Sequence, residues 1–254
     1  TASSTRGFNT VCIFVNDVVD ADVIKVLHKN GIRLIALRAS GYNNVDFRAA
    51  FGKIHVVRVP AYSPHAVAEH ATALMLALNR KTHRAYHRTR DNNFSIQGLL
   101  GFDMFGKTAG VIGTGAIGRE LIRILKGFGM HVLAYDPGPD ETFAAETGFS
   151  YTDLKTLYKK SDVISLHCPL TRQTYRMINA ATIKMMKTGV MIINTGRGKL
   201  IDTRALIEAL KNKKVGYAGL DVYEEESEYF FEDFSSEAIS DDVLARLLTF
   251  PNVL

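Results

Sequence analysis

The chain has 254 residues, 46% of them hydrophobic and 22% charged, with 20 Gly, 6 Pro and a net charge of +5. It holds no apolar run near the ~18 residues a membrane helix needs, and its composition also excludes a collagen or a disordered tail. The length provides for one large or two medium domains. Cys12 and Cys168 sit in the apolar runs VCIFV and DVISLHC and read as small buried hydrophobes.

The charge is local. Arg80, Lys81, Arg84, Arg88 and Arg90 share an eleven-residue stretch without an acid, and the remaining 26 Lys and Arg balance 26 Asp and Glu. With no aromatic stacking pattern beside it, this patch reads as a solvated or interface-facing helix surface, not a nucleic-acid site. The chain starts at Thr1 without a signal pattern and stops at the strand-like FPNVL, so it reads as cut at both ends.

In chain order, the strand VCIFV is followed by a helix around DADVIKVLHKN, the strand IRLIALR, a short helix around VDFRAAFGK and the strand HVVRVP. Apolar strands alternating with helices predict a parallel sheet. A helix then starts at SPHAVAEH, with Ser63 as cap and Pro64 in its first position, and is predicted to run past Tyr86. Val67, Ala71, Leu74 and Leu78 form its apolar face, which Leu76 and Ala77 widen. Residues 91–106 carry three Gly and neither period, so they read as a connector. Beyond it the strands TAGVIG, HVLAYD, DVISLHC, VMIINT and YAGLDVY alternate with helical stretches. The prediction is a doubly wound Rossmann α/β domain over 99–254, preceded over 1–98 by an incomplete flavodoxin-like α/β domain with its linking helix.

GVIGTGAIG places Gly113, Gly115 and Gly118 in a G-x-G-x-x-G after a buried strand and at the mouth of a helix. Such glycines permit a tight turn, a close approach to a pyrophosphate and close helix–strand packing, and the helix start supplies N–H donors. The next strand closes on Asp136, eighteen residues after Gly118. An acid there bonds a ribose diol and repels a 2′-phosphate, which selects NAD over NADP. A Rossmann-like methyltransferase shares the turn and the acid but leaves the preceding α/β segment unexplained.

VMIINTGRG puts Arg197 between glycines at the carboxyl edge of the sheet, where a guanidinium can clamp a carboxylate or polarise a carbonyl. On residue type alone it is equally readable as an idle surface Arg. The next strand ends with Asp221, followed by the acids Glu224, Glu225 and Glu226.

GVIGTGAIG, AYDP, HCPLT, NTGRG and GLDVYEEE, in that order and spacing, resemble the D-2-hydroxyacid dehydrogenases, and ALRASGYNNVD and VPAYSPHAVAEH extend the likeness over nearly the whole chain. Residues 224–253 are similar to the D-lactate branch of that family. The resemblance implies an oxidoreductase that moves hydride between NAD(H) and a small 2-oxo or 2-hydroxy acid, the pyruvate and D-lactate pair in this branch. It assigns Arg197 to substrate and Glu226, five residues after Asp221, to the catalytic His, leaving Glu224 and Glu225 solvated. It assigns Ser40 and Gly41 to the substrate carboxylate, although the lactate branch often has Ala at Ser40, and Tyr62 to substrate, with a plain core role as the other reading. The cofactor residues it implies are Gly113, Gly115, Ala116, Ile117, Gly118, Asp136, His167, Cys168, Pro169, Thr195, Gly196 and Asp221, with no metal. The family's catalytic His falls about four residues beyond Leu254, and none of the eight His present fits it. On that count the chain by itself is expected to be inactive. A cytoplasmic homodimer built on the helix from Ser63 is also implied, with neither nucleic acid nor membrane as partner. NAD-binding corepressors of similar sequence form the other reading.

Overall fold

The computed structural model describes residues 2–60, 62–225, 229 and 233–254, which fall into two compact units, up to Ser63 and from Pro64 onward. The first contains β1 (Thr10–Ile13), α1 (Ala21–Lys29), β2 (Leu34–Leu37), α2 (Phe47–Ala50) and β3 (His55–Arg58). Its three strands pair in parallel in that order, with Thr10 beside Leu34 and Leu34 beside His55. Asp20 and Asp46 cap the two helices by accepting from the Val23 and Ala49 N–H groups. Ile13, Ile24, Leu27, Ile32, Ile35 and Leu37 form its core. Cys12 departs from its predicted burial. On β1 it alternates with Val11 and Ile13, which pack on that core, so its thiol takes the opposite face and is exposed.

The second unit begins with α3 (Pro64–Arg80) and α4 (Thr82–Arg90). The helix predicted to run past Tyr86 breaks at Lys81, whose φ of 52° is left-handed. There Lys81 donates to the Leu100 carbonyl at 2.5 Å. The buried face of α3 is Ala68, Ala71, Thr72, Met75, Leu78 and Asn79, partly rotated from the predicted stripe, and Leu74 is half-buried. The α/β repeat follows as β4 (Thr108–Ile112), α5 (Ala116–Gly127), β5 (His131–Tyr135), α6 (Glu141–Thr147), β6 (Ser150–Tyr151), α7 (Leu154–Lys160) and β7 (Val163–Leu166). Then come α8 (Ala180–Met185), β8 (Val190–Asn194), α9 (Thr203–Lys211), β9 (Val215–Leu220) and α10 (Asp242–Leu248).

The six strands are parallel in the order β6-β5-β4-β7-β8-β9, the doubly wound arrangement with its reversal between β4 and β7. Both faces are covered, which is why the strands read as continuous apolar runs. Ile112, Ile164 and Ile192 enter one core cluster, while Val111, Val163, Met191 and Ile193 enter the other. The second cluster includes Ala68, Ala71, Met75 and Leu78, so α3 belongs by packing to this unit although it precedes the predicted connector. The strand-like FPNVL places Val253 beside Ala218 of β9, with the Leu220 N–H donating to the Leu254 carbonyl and the Leu254 N–H to the Ala218 carbonyl across that edge.

Candidate functional site

At the point where the strand order reverses, the chain leaves β4 through Gly113, with φ +97°, a conformation side chains avoid. An added Cβ there would lie 2.6 Å from the His167 carbonyl carbon, so the turns after β4 and β7 touch through backbone alone. Gly118 is held as closely, since its Cβ would meet the Gly113 oxygen at 2.0 Å. Gly115 is the N-cap of α5; no side chain caps that helix and the space above the residue is open. Ala116 and Ile117 begin the helix, so free N–H donors and the positive dipole end face the crevice at the carboxyl edge of the sheet.

Asp136, just past β5, accepts from the Thr114 N–H at 2.7 Å and the Gly138 N–H at 2.9 Å. The acid at the strand end is thereby tied to the glycine turn. Buried Thr114 also bonds the Tyr151 hydroxyl at 2.9 Å, a support that sequence reasoning missed because no motif marks it. Behind the turn, His167 bonds the Ser165 hydroxyl through Nε2 at 2.8 Å, and burial pushes its pKa down to about 4. A neutral, half-buried imidazole of this kind is a poor proton donor near neutrality. Burial also pushes the Cys168 thiol up to about 11, and its Sγ lies 3.6 Å from the Met177 sulfur. Pro169 is exposed, and its carbonyl accepts from the Thr174 hydroxyl.

The loop after β8 is shaped by buried Asn194, which accepts from the Gly196 N–H at 3.1 Å and donates to the Arg197 carbonyl at 3.0 Å. Its own carbonyl accepts from the Asp221 N–H at 3.0 Å, fastening the loop after β9 beside it. Arg197 is exposed, with Nη1 donating to the Gly196 carbonyl at 2.9 Å. Thr195 Oγ1 is buried and has no hydrogen-bond partner among the described residues, a polar atom left for a ligand. Asp221 meets His70 of α3 at 3.2 Å, a pairing across 151 positions that no local pattern announces. Together the open start of α5, the Asp136 carboxylate and the unpartnered Thr195 hydroxyl suit a dinucleotide along this edge.

Glu224 overturns the prediction that it is solvated. It is buried, accepting from Arg176 and from Thr203, whereas Glu225 is exposed as predicted. Glu226 lies outside the described residues. In the first unit, Ser40 and Gly41 follow β2; the Ser40 carbonyl accepts from Arg58 at 2.9 Å, and its buried hydroxyl has no partner among the described residues. Tyr62 is 71% exposed, which rules out the plain core role.

Residues 72–254 match the family model described as D-isomer specific 2-hydroxyacid dehydrogenase, NAD binding domain. The chain is 58% identical to D-lactate dehydrogenase of Escherichia coli strain K12, over 100% of its own length and 77% of that protein's. Among solved structures it is similar to the pyruvate reductase of Chlamydomonas reinhardtii, at 48% identity, a TM-score of 0.93 and coverage of 100% of this chain and 77% of that one. It is similar also to D-lactate dehydrogenase of Aquifex aeolicus complexed with NAD and lactic acid, at 36% identity, a TM-score of 0.88 and coverage of 100% and 77%. These matches do not favour the corepressor reading. A doubly wound sheet with an open glycine turn at its reversal, an acid on the next strand and this run of relatives have one account: the chain belongs to the D-isomer specific 2-hydroxyacid dehydrogenases and carries their NAD-binding domain.

Proposed function

We propose that the protein reduces a small 2-oxo acid, pyruvate in the first instance, to the D-2-hydroxy acid. The observation that carries this reading is the adjacency of the Arg197 loop to the end of β9, at the edge where the glycine turn opens. NADH, when bound, supplies the hydride. Gly113, Gly115, Ala116, Ile117 and Gly118 would hold its pyrophosphate, Asp136 its ribose, and His167, Cys168, Pro169, Thr195, Gly196 and Asp221 the remainder of the molecule. Arg197 binds the substrate and stabilises negative charge growing on its carbonyl oxygen. Ser40, Gly41 and Tyr62 receive the substrate carboxylate and side chain. Glu226 orients the protonated His that the family resemblance places about four residues beyond Leu254, and raises its pKa.

In functional terms we assign residues 1–98 to substrate, with the linking helix, and 99–254 to the cofactor. A cytoplasmic homodimer joined through the helix from Ser63 belongs to the same proposal and rests on family resemblance. Residues 1–254 alone, without that His, are expected to bind NADH and turn over negligibly. The test is NADH oxidation by the full-length protein with a series of 2-oxo acids. D-lactate formed in step with NADH consumed is the expected result, and no turnover with any member of the series overturns the reading.

A further inference from the structure

Glu224, the first acid after Tyr223, is turned into the protein. Its side chain is 7% exposed, against 62% for Glu225. A buried carboxylate is tolerated only with charge and hydrogen-bond partners, and Glu224 has them from two other segments. One oxygen accepts from Arg176 Nε at 2.7 Å and forms an ion pair with Arg176 Nη2 at 2.6 Å. The other accepts from the Thr203 N–H at 3.3 Å and the Thr203 hydroxyl at 3.1 Å. Thr203 opens α9, and Asp202, the N-cap, is committed to the Ala205 N–H, so Glu224 takes a donor that the cap leaves over.

These partners lead back to the loop that carries Arg197. The Arg176 N–H donates to the Lys199 carbonyl at 2.8 Å, and the Ile178 N–H to the Leu200 carbonyl at 3.1 Å. Gly198 lies directly under the strand-end segment, because a Cβ built on it would sit 1.9 Å from the Tyr223 carbonyl oxygen. The backbone at Gly198 and the carboxylate of Glu224 thus clamp two catalytic loops at two points. One loop bears Arg197; the other runs to Glu225, and in sequence the next residue is Glu226.

We propose that Glu224 is a positioning residue, whose contacts with Arg176 and Thr203 hold the Arg197 loop and the segment leading to Glu226 in the register that reduction of the 2-oxo acid requires. The inference rests on the function proposed above. It differs from a purely structural role in what its loss would change. If Glu224 served stability alone, each folded molecule of a variant would turn over normally.

In the full-length protein, Glu224→Gln removes the charge while keeping the shape. The half-exposed Arg176 allows a second variant, Arg176→Gln, that removes the partner without emptying a buried site. Both are expected to lower kcat for pyruvate about ten-fold or more, since small misplacements of reacting groups are costly. The NADH Kd, read by fluorescence titration, should stay within about two-fold, because the glycine turn and Asp136 are untouched. The alkaline fall of kcat/KM should move to lower pH, since a proton donor no longer paired with Glu226 loses its proton earlier. Glu225→Gln serves as the control, with unchanged values. Variants with wild-type kcat and pH profile per folded molecule, differing in Tm alone, overturn the inference. A wild-type protein without 2-oxo acid turnover would instead indict the function on which it rests.

Discussion

Asp136 and Arg197 divide the proposed chemistry between cofactor and substrate, and substitution separates them. Asp136→Ala should weaken NADH binding and narrow the gap to NADPH, because the carboxylate that repels a 2′-phosphate is gone; equal affinity of the unmutated protein for both would sink this role. Arg197→Ala in the full-length protein should remove most turnover and leave NADH affinity nearly intact, which a titration beside steady-state rates will show. His167 offers a pH test. Burial lowers its pKa from the ordinary 6.5 to about 4, so the unfolded chain binds its proton more readily than the folded one. Its contribution to stability is complete above about pH 6.5 and is lost as pH falls towards about 4. The urea midpoint of the wild type should therefore fall more steeply between about pH 6.5 and 4 than that of His167→Gln. The glycine turn and Asp136 are legible in the sequence because their spacing is local and each type has one backbone or charge task. Glu224 is not, since its burial comes from Arg176, 48 positions earlier, and nothing within EEE marks one acid from the next.

Among the elements, the long strands are legible because both their faces are covered, and β6 is not, having two residues at the edge of the sheet. The break between α3 and α4 is also silent in sequence: Lys81 is an ordinary helix former, and its left-handed turn is accompanied by its bond to the Leu100 carbonyl, nineteen positions on. The packing of α5 on β4 can be tested at Gly118. With the Gly113 oxygen 2.0 Å from where a Cβ would stand, Gly118→Ala must push the helix start away from the turn. NADH affinity should fall at least about ten-fold while much of the fold persists, as the cost falls on a local contact. Calorimetric titration against circular dichroism of the same sample separates these effects, and unchanged affinity would remove the turn from the cofactor site.

At the scale of the whole molecule, the sequence places a boundary in the connector 91–106, whereas packing joins α3 to the second unit from Pro64. Periodicity shows that a helix has an apolar face but not which sheet covers it. A fragment starting at Pro64 should therefore bind NADH and unfold cooperatively, while one starting at residue 99 should be markedly less stable, with Leu121, Leu125, Met191 and Ile193 stripped of Met75 and Leu78. Equal denaturant midpoints for the two would show that α3 is dispensable to this unit. The same helix has a consequence for how the protein is made. It leaves the ribosome well before β8 and β9, the strands it packs against, have been synthesised. At ~5–20 residues per second, its apolar face waits roughly ten seconds for them. For that interval α5 can already cover part of α3, but the portion that will meet β8 and β9 stays open, a natural point of engagement for a chaperone, and slower translation ahead of β9 would lengthen the exposure in proportion.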